Sequence, residues 1–243
     1  MSLKEEPIQP HDINWDQFLP GISIDCVIFG YHDKELKVLI LEYKQTELFA
    51  LPGGFIKKDE ALNEAAKRVL MERTGLTNIY LKQFHTFGSL ERADQDPMKT
   101  VLTQNDVTFD RNHFLLQRFI SVSYYALVDF KKVEPVADPL SDSCKWIDID
   151  ELPDLMQDHN DICKKAHDHL KKSIEHDVVG LNLLSETFTM AELQSLHESI
   201  LGEKLHRTGF HRKMMLSGNL KRTGKMKTGR AHRSPYLYKF IQQ

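Results

Sequence analysis

Two runs near the start of the chain, "ISIDCVIFGY" (22–31) and "LKVLILEY" (36–43), are rich in β-branched and aromatic residues and flank the polar turn "HDKE". They predict two strands. Their nearly unbroken apolar character predicts a sheet covered on both faces. After a glycine pair, Leu62, Ala65, Ala66, Val69 and Leu70 recur at three- and four-residue steps, which predicts a helix with one buried stripe. Gly75 is the residue type that stops such a helix. Further strands are expected over 79–87, 118–128 and 144–150. Residues 88–117 are largely polar and without clear period, which predicts a functional loop or a flexible insertion. Residues 151–177 predict another helix, with Leu155, Ile162, Ala166 and Leu170 on one side.

Past the connector "VVGLNLLSETF" the pattern changes. Thr189 followed by Glu192 is a capping box. Leu193, Leu196 and Ile200 then give one apolar helical face, and Gly202 ends it. After "EKLH", the segment "RTGFHRKMML" predicts a second helix with Phe210, Met214 and Met215 available for a core. The remaining "NLKRTGKMKTGRAHRSPYLYKF" reads as a strand, a basic glycine-bearing loop and a return strand carrying Tyr236, Tyr238 and Phe240. A helix, a tight turn, a basic helix and a wing make a winged helix-turn-helix. The organisation expected is therefore an α/β domain over 1–177, its last helix at 151–177, followed by a small domain over 178–243. The break is expected near 178–186.

Composition adds little until charge is divided along the chain. With 41% hydrophobic and 28% charged residues, the protein belongs to the ordinary globular class. "MSLKEEPIQP" has two acids and no hydrophobic run, so no secretory leader is expected, and no apolar stretch approaches membrane-spanning length. Cys26, Cys144 and Cys163 are odd in number and widely spaced, which predicts reduced, buried thiols in a cytoplasmic protein. The net charge of −3 hides an asymmetry: residues 201–243 carry six lysines and five arginines against a single acid, Glu203. Such a split predicts a polyanionic partner for this end. In a winged helix the partner expected is double-stranded DNA, the alternatives being RNA or a protein surface met by a basic wing. Arg207, Thr208, His211 and Arg212, near the start of the second helix, are placed to meet base edges and phosphates. Lys213 and the wing residues Lys221, Arg222, Lys225, Lys227, Arg230 and Arg233 would meet the sugar-phosphate backbone. Neutralising about six phosphates would give a log–log salt slope of roughly −5.

The stretch "LPGGFIKKDEALNEAAKRVLMERTGL" (51–76) resembles the Nudix box, with Gly54, Glu60, Arg68, Glu72 and Gly75 at its spacing. The resemblance implies a Nudix α/β/α sandwich, in which loop and helix hold a diphosphate through divalent metal. Two positions depart, Val69 and Arg73, where the pattern has glutamates. Residues 69, 72 and 73 project from neighbouring helical steps toward one patch. A guanidinium there repels a bound cation and cannot deprotonate to escape it. No catalytic residue, metal or cofactor is therefore expected; magnesium belongs to the rival reading, an active hydrolase of nucleoside diphosphate derivatives such as ADP-ribose. Glu60, Arg68 and Glu72 would remain as structural ion pairs. The pocket itself need not vanish. Gly53 and Gly54 allow close backbone approach, Phe55, Tyr43 and Lys44 are expected to line it, and Glu91, Arg92 and Arg118 to flank its mouth. A retained pocket without its catalytic acids would be a sensor.

The order of the whole chain, a degenerate Nudix domain, "ELPDLMQDH", "FTMAELQSLHESILGEKLHRTGFHRK" and a basic wing, resembles the NrtR-like Nudix-related transcriptional regulators. That resemblance implies a homodimer on promoter DNA responding to a small molecule, either an ADP-ribose-type nucleotide or a pentose such as arabinose. "IDCVIFGY", "LPGGFIKKDEAL" and "VSYYALV" look closer to the sugar-responsive branch, while the polar insertion at 95–117 departs from it. His159, Cys163 and His167 share a helical face at four-residue steps, but as three ligands without a fourth they fall short of a zinc site. Trp15 and Trp146 are expected to be packing residues.

Overall fold

The computed structural model describes residues 13–77, 79–174, 183–226 and 234–241. Its larger part is built on a seven-stranded mixed sheet made of β1 (Phe18–His32), β2 (Glu35–Tyr43), β3 (Phe49–Ala50), β4 (Gly53–Lys57), β5 (Tyr80–Phe87), β6 (Ile120–Val128) and β7 (Ser141–Asp148). The central strand β1 runs parallel to β6, residues 22–30 facing 120–128, and antiparallel to β2 and β4.

Alternation along the central strands decides the layers. Ile24, Cys26 and Ile28 of β1 and Tyr124, Ala126 and Val128 of β6 pack against Ala65, Ala66, Val69 and Leu70 of α1 (Leu62–Thr74). Val27, Phe29, Tyr125 and Leu127 point the other way, onto Ile162, Cys163, Ala166 and Leu170 of α3 (His159–Ser173). Both faces are covered, as the unbroken apolar runs require, giving an α/β/α sandwich. Gly75 closes α1 in the left-handed conformation, φ +70°, where a side chain would be strained.

Three expectations need correction. The helix expected over 151–177 begins only at His159, because residues before it are spent on strand-like bonds: Met156 N donates to Phe49 O at 2.8 Å, and Leu155 bridges Phe49. Leu155 is buried beside the helix without belonging to it. The insertion is not an open polar loop. It holds α2 (Asp96–Gln104) and an apolar cluster in which Val101, Leu102, Leu115 and Leu116 are buried with Tyr43, Ala50, Leu140 and Met156. Met215, expected in the second core, is 44% exposed.

The smaller part is a winged helix: β8 (Phe188–Thr189), α4 (Met190–Leu201), α5 (Arg207–Leu216), β9 (Leu220–Lys225) and β10 (Tyr236–Phe240), with strand order β8-β10-β9. The capping box forms in both directions, Thr189 Oγ1 accepting from Glu192 N and Thr189 N donating to Glu192 Oε2 at 2.7 Å. Phe188, Leu193, Phe210 and Tyr238 make the local core. Leu196 and Ile200, on the other side of α4, join the apolar cluster around α3, so the two parts share one buried seam. His167 on α3 lies 2.8 Å from the Ile200 carbonyl across it. The expected break at 178–186 falls largely outside the described residues.

Candidate functional site

A cavity of about 1030 Å³ opens between α1, the sheet ends and the insertion. Its apolar wall is formed by Trp15, Phe18, Phe55, Phe119, Met98 and Leu115. Phe114 backs this wall, stacked on Trp15 at 5.4 Å and edge-on to Phe55 at 4.9 Å. The insertion thus supplies much of an aromatic surface.

The floor is charged and closed. Arg92, 5% exposed, donates from Nη1 to Asp158, from Nη2 to Asp25 Oδ2 at 3.1 Å and from Nε to Phe119 O at 3.1 Å. His159 Nδ1 accepts from Leu51 N at 3.0 Å, which leaves its Nε2 facing Asp25 Oδ1 at 3.7 Å. Burial alone would raise the Asp25 pKa, but His159 and Arg92 outweigh it and hold the carboxyl below its ordinary value. For His159 burial dominates and lowers the pKa, against the opposing pull of Asp25. Ser23, 7% exposed, also lines the cavity, and its hydroxyl has no hydrogen-bond partner among the described residues.

The third wall is α1 and its loop. Arg68 grips Glu60 with two bonds, Nε to Oε1 at 2.8 Å and Nη2 to Oε2 at 2.9 Å, donates to Phe55 O at 2.8 Å, and reaches Glu72 at 3.3 Å. This fork staples the glycine loop to the helix. Arg68 draws the Glu60 carboxyl below its usual pKa. Val69 is 1% exposed and faces the core. Glu72 and Arg73 line the cavity.

Of the residues expected to bind a ligand, Tyr43, Lys44, Gly53, Gly54, Phe55 and Arg92 reach the cavity. Glu91 and Arg118 are exposed and stand outside its walls; Arg118 Nη2 donates to Gly88 O instead. Arg92 is not at a mouth but locked in the floor. The glycine pair serves packing as well as access: a Cβ on Gly53 would meet Ile24 O at 2.8 Å, and one on Gly54 would meet Val69 Cγ2 at 2.6 Å. Trp15, set down as a packing residue, lines the cavity, whereas Trp146 does pack, against Phe130. Asp25, His159, Asp158, Phe18 and Phe119 were not singled out for this site. Asp25 did leave a signal, as the lone charge within the apolar run "ISIDCVIFGY". His159, Cys163 and His167 have separate tasks, at the floor, in the core and at the seam.

On the winged helix, Arg207, Thr208, His211, Arg212 and Lys213 of α5 are all exposed. The approach of α5 is fixed by Glu198, whose Oε1 accepts from Leu205 N at 3.0 Å, and by Gln194, which donates to Leu205 O at 2.9 Å. Lys221, Arg222 and Lys225 line the exposed strand β9, with the Arg222 guanidinium 3.0 Å above the Tyr236 ring centre. Lys227, Arg230 and Arg233 lie outside the described residues.

Comparison with known families decides what frame this is. The NUDIX domain family matches residues 19–166, and the NrtR DNA-binding winged helix domain matches residues 180–240. The chain is a Nudix protein. Its second part is an NrtR-type winged helix. This Nudix protein is 29% identical, over 231 residues, to the ADPR responsive transcriptional repressor NtrR of Acinetobacter baylyi, covering 92% of this chain and 83% of that one. It is 28% identical over 148 residues to the ADP-ribose pyrophosphatase of Methanocaldococcus jannaschii, covering 60% of this chain and 72% of that protein. The crystal structure of Shewanella oneidensis NrtR complexed with a 27mer DNA superposes with a TM-score of 0.71 at 28% identity, covering 90% of this chain and 93% of that one. Among the described residues no helix is long and apolar enough to cross a membrane.

Proposed function

We propose that this Nudix protein is a transcriptional repressor that binds promoter DNA through α5 and the wing and senses an ADP-ribose-type nucleotide in the cavity beneath its insertion. The observation carrying this reading is the pairing, in one chain, of a roomy aromatic-and-charged cavity with an exposed basic reading helix. A cavity of about 1030 Å³ is at the upper end of small-molecule sites. A pentose would leave most of it empty, so the sugar-responsive alternative loses its footing. A nucleotide has a flat base for the Trp15–Phe55–Phe119 wall, hydroxyls for Ser23 and the floor, and phosphates for the cations along α1. The Acinetobacter relative is named as an ADPR responsive repressor, and the Shewanella relative is complexed with DNA, which supports the two halves of the reading. The protein would act in the cytoplasm as a homodimer, two α5 helices meeting successive half-sites.

The rival reading, hydrolysis, is favoured by the pyrophosphatase relative. Against it stands the face of α1, where Val69 is in the core and Arg73 is a cation, so that Glu72 is the only carboxylate α1 brings to the cavity among the described residues. Hard divalent cations bind clustered oxygen ligands, and Glu72 is already paired with Arg68. The residues present do not fit the metal.

Fluorescence anisotropy with duplexes from upstream of its own and adjacent genes tests the reading. Specific binding reversed or strengthened by ADP-ribose, and indifferent to arabinose, is the expected result. Turnover of ADP-ribose with magnesium or manganese at ~1 s⁻¹ or faster would instead make the protein an enzyme. Light scattering that gives a monomer at all working concentrations would remove the dimer.

A further inference from the structure

We propose that Arg73 takes the diphosphate of the ligand directly, at a position where the Nudix pattern has a metal-binding carboxylate, so that binding in this cavity requires no divalent cation. The inference rests on the nucleotide-sensing reading and specifies how that site recognises phosphate.

The cations around the cavity differ in what already holds them. Arg92 is divided between Asp25 and Asp158, both buried. Arg68 is committed to Glu60, Glu72 and the Phe55 carbonyl. Lys44 Nζ donates to Pro139 O at 2.7 Å. Arg73 lines the same cavity and makes no ion pair among the described residues, and its Nε is buried without a hydrogen-bond partner. A buried N–H left unsatisfied is costly unless something else completes it. With Nε closed off by burial, the Nη groups are the ones a phosphate in the cavity would meet.

The carboxylates on this wall do not take that role. Glu72 is held by Arg68, and Asp138 accepts from Leu140 N at 2.9 Å and Ser141 Oγ at 2.8 Å. Lys44 and Lys57 line the wall alongside Arg73 and add to its positive charge. A guanidinium is also suited in shape. It presents a planar fork of donors that matches two oxygens of a phosphate at once, and its charge survives at any working pH. A divalent cation would need carboxylates to hold it, which on this wall are engaged elsewhere; here the cation is covalently part of α1.

Calorimetric titration of the full chain with ADP-ribose and with ADP, in EDTA and in magnesium, tests this, with circular dichroism as a check that each variant is folded. The wild-type protein should bind equally within about twofold in the two buffers. Arg73→Ala should weaken binding about tenfold or more in both, and Arg73→Lys should recover only part, lacking the fork. Adenosine, which has no phosphate, should bind wild type and Arg73→Ala alike. Binding that needs magnesium, or that Arg73→Ala leaves within about twofold, overturns this inference and leaves the effector reading standing. No binding of either nucleotide to the wild type overturns both.

Discussion

The cavity floor and the outer face of α5 are both built from charge, and they use it in opposite ways. Arg92, Asp25, Asp158 and His159 are buried and turned toward one another, so their charge is consumed within the fold. Arg207, His211 and Arg212 are exposed on a helix, with no acid of this chain paired to them among the described residues. Committed charge fixes the shape of a site, and uncommitted charge is left for a partner. The contrast explains why a residue type alone did not reveal its role: Arg92 and Arg212 are the same side chain in different trades.

The largest effect that would sharpen this comparison is expected in the floor. Arg92→Ala strands two buried carboxylates, and urea denaturation should show a loss of about 3–5 kcal/mol; a loss within 0.5 kcal/mol would mean the floor is not held by this ion pair. Next comes Gly54→Ala, whose new methyl would meet Val69 Cγ2 at 2.6 Å. Overpacking against a stiff β-branched neighbour should cost about 1–3 kcal/mol by the same measurement. On the other side, Arg212→Ala should weaken promoter binding about tenfold while leaving the thermal shift by ADP-ribose as it is. Loss of both together would break the division between the two regions.

The smallest effect is one of pH. His197, buried against Phe210 at 5.0 Å, has its pKa lowered to about 4 by burial and by Lys213. A folded-state pKa below the unfolded value means that stability is complete above pH 6.5 and falls as acid charges the unfolded chain first. Roughly 1 kcal/mol should be lost between pH 6.5 and 5.5, and His197→Leu should flatten that slope. Glu198, with its pKa near 2, contributes its own loss only below its ordinary value of 4.5.

The sandwich was legible because its central strands are nearly unbroken apolar runs, as a sheet covered on both faces requires, and α1 repeats its apolar residues at helical steps. The pairing of Glu60 with Arg68 was legible too, the two lying one loop and two helical turns apart. What sequence could not give was the floor: Arg92 is 67 residues from Asp25 and 66 from Asp158, and only the closed sheet unites them. The insertion lines the cavity, as a functional loop would, but its internal order was not legible, for another reason. Met98, Val101, Leu102, Phe114 and Leu115 follow no single period, since they serve a short helix and an irregular return together. Glu91 and Arg118 flank the inserted chain in sequence, yet neither reaches the cavity wall.

One rod, α3, touches both the cavity floor and α4, the helix on which α5 is set. It begins at His159 in the cavity floor and presents His167 to the Ile200 carbonyl, eight residues and about 12 Å farther along its axis. Stiffness over that span means that tilting either end swings the other, like a lever whose fulcrum is the packed sheet beneath it.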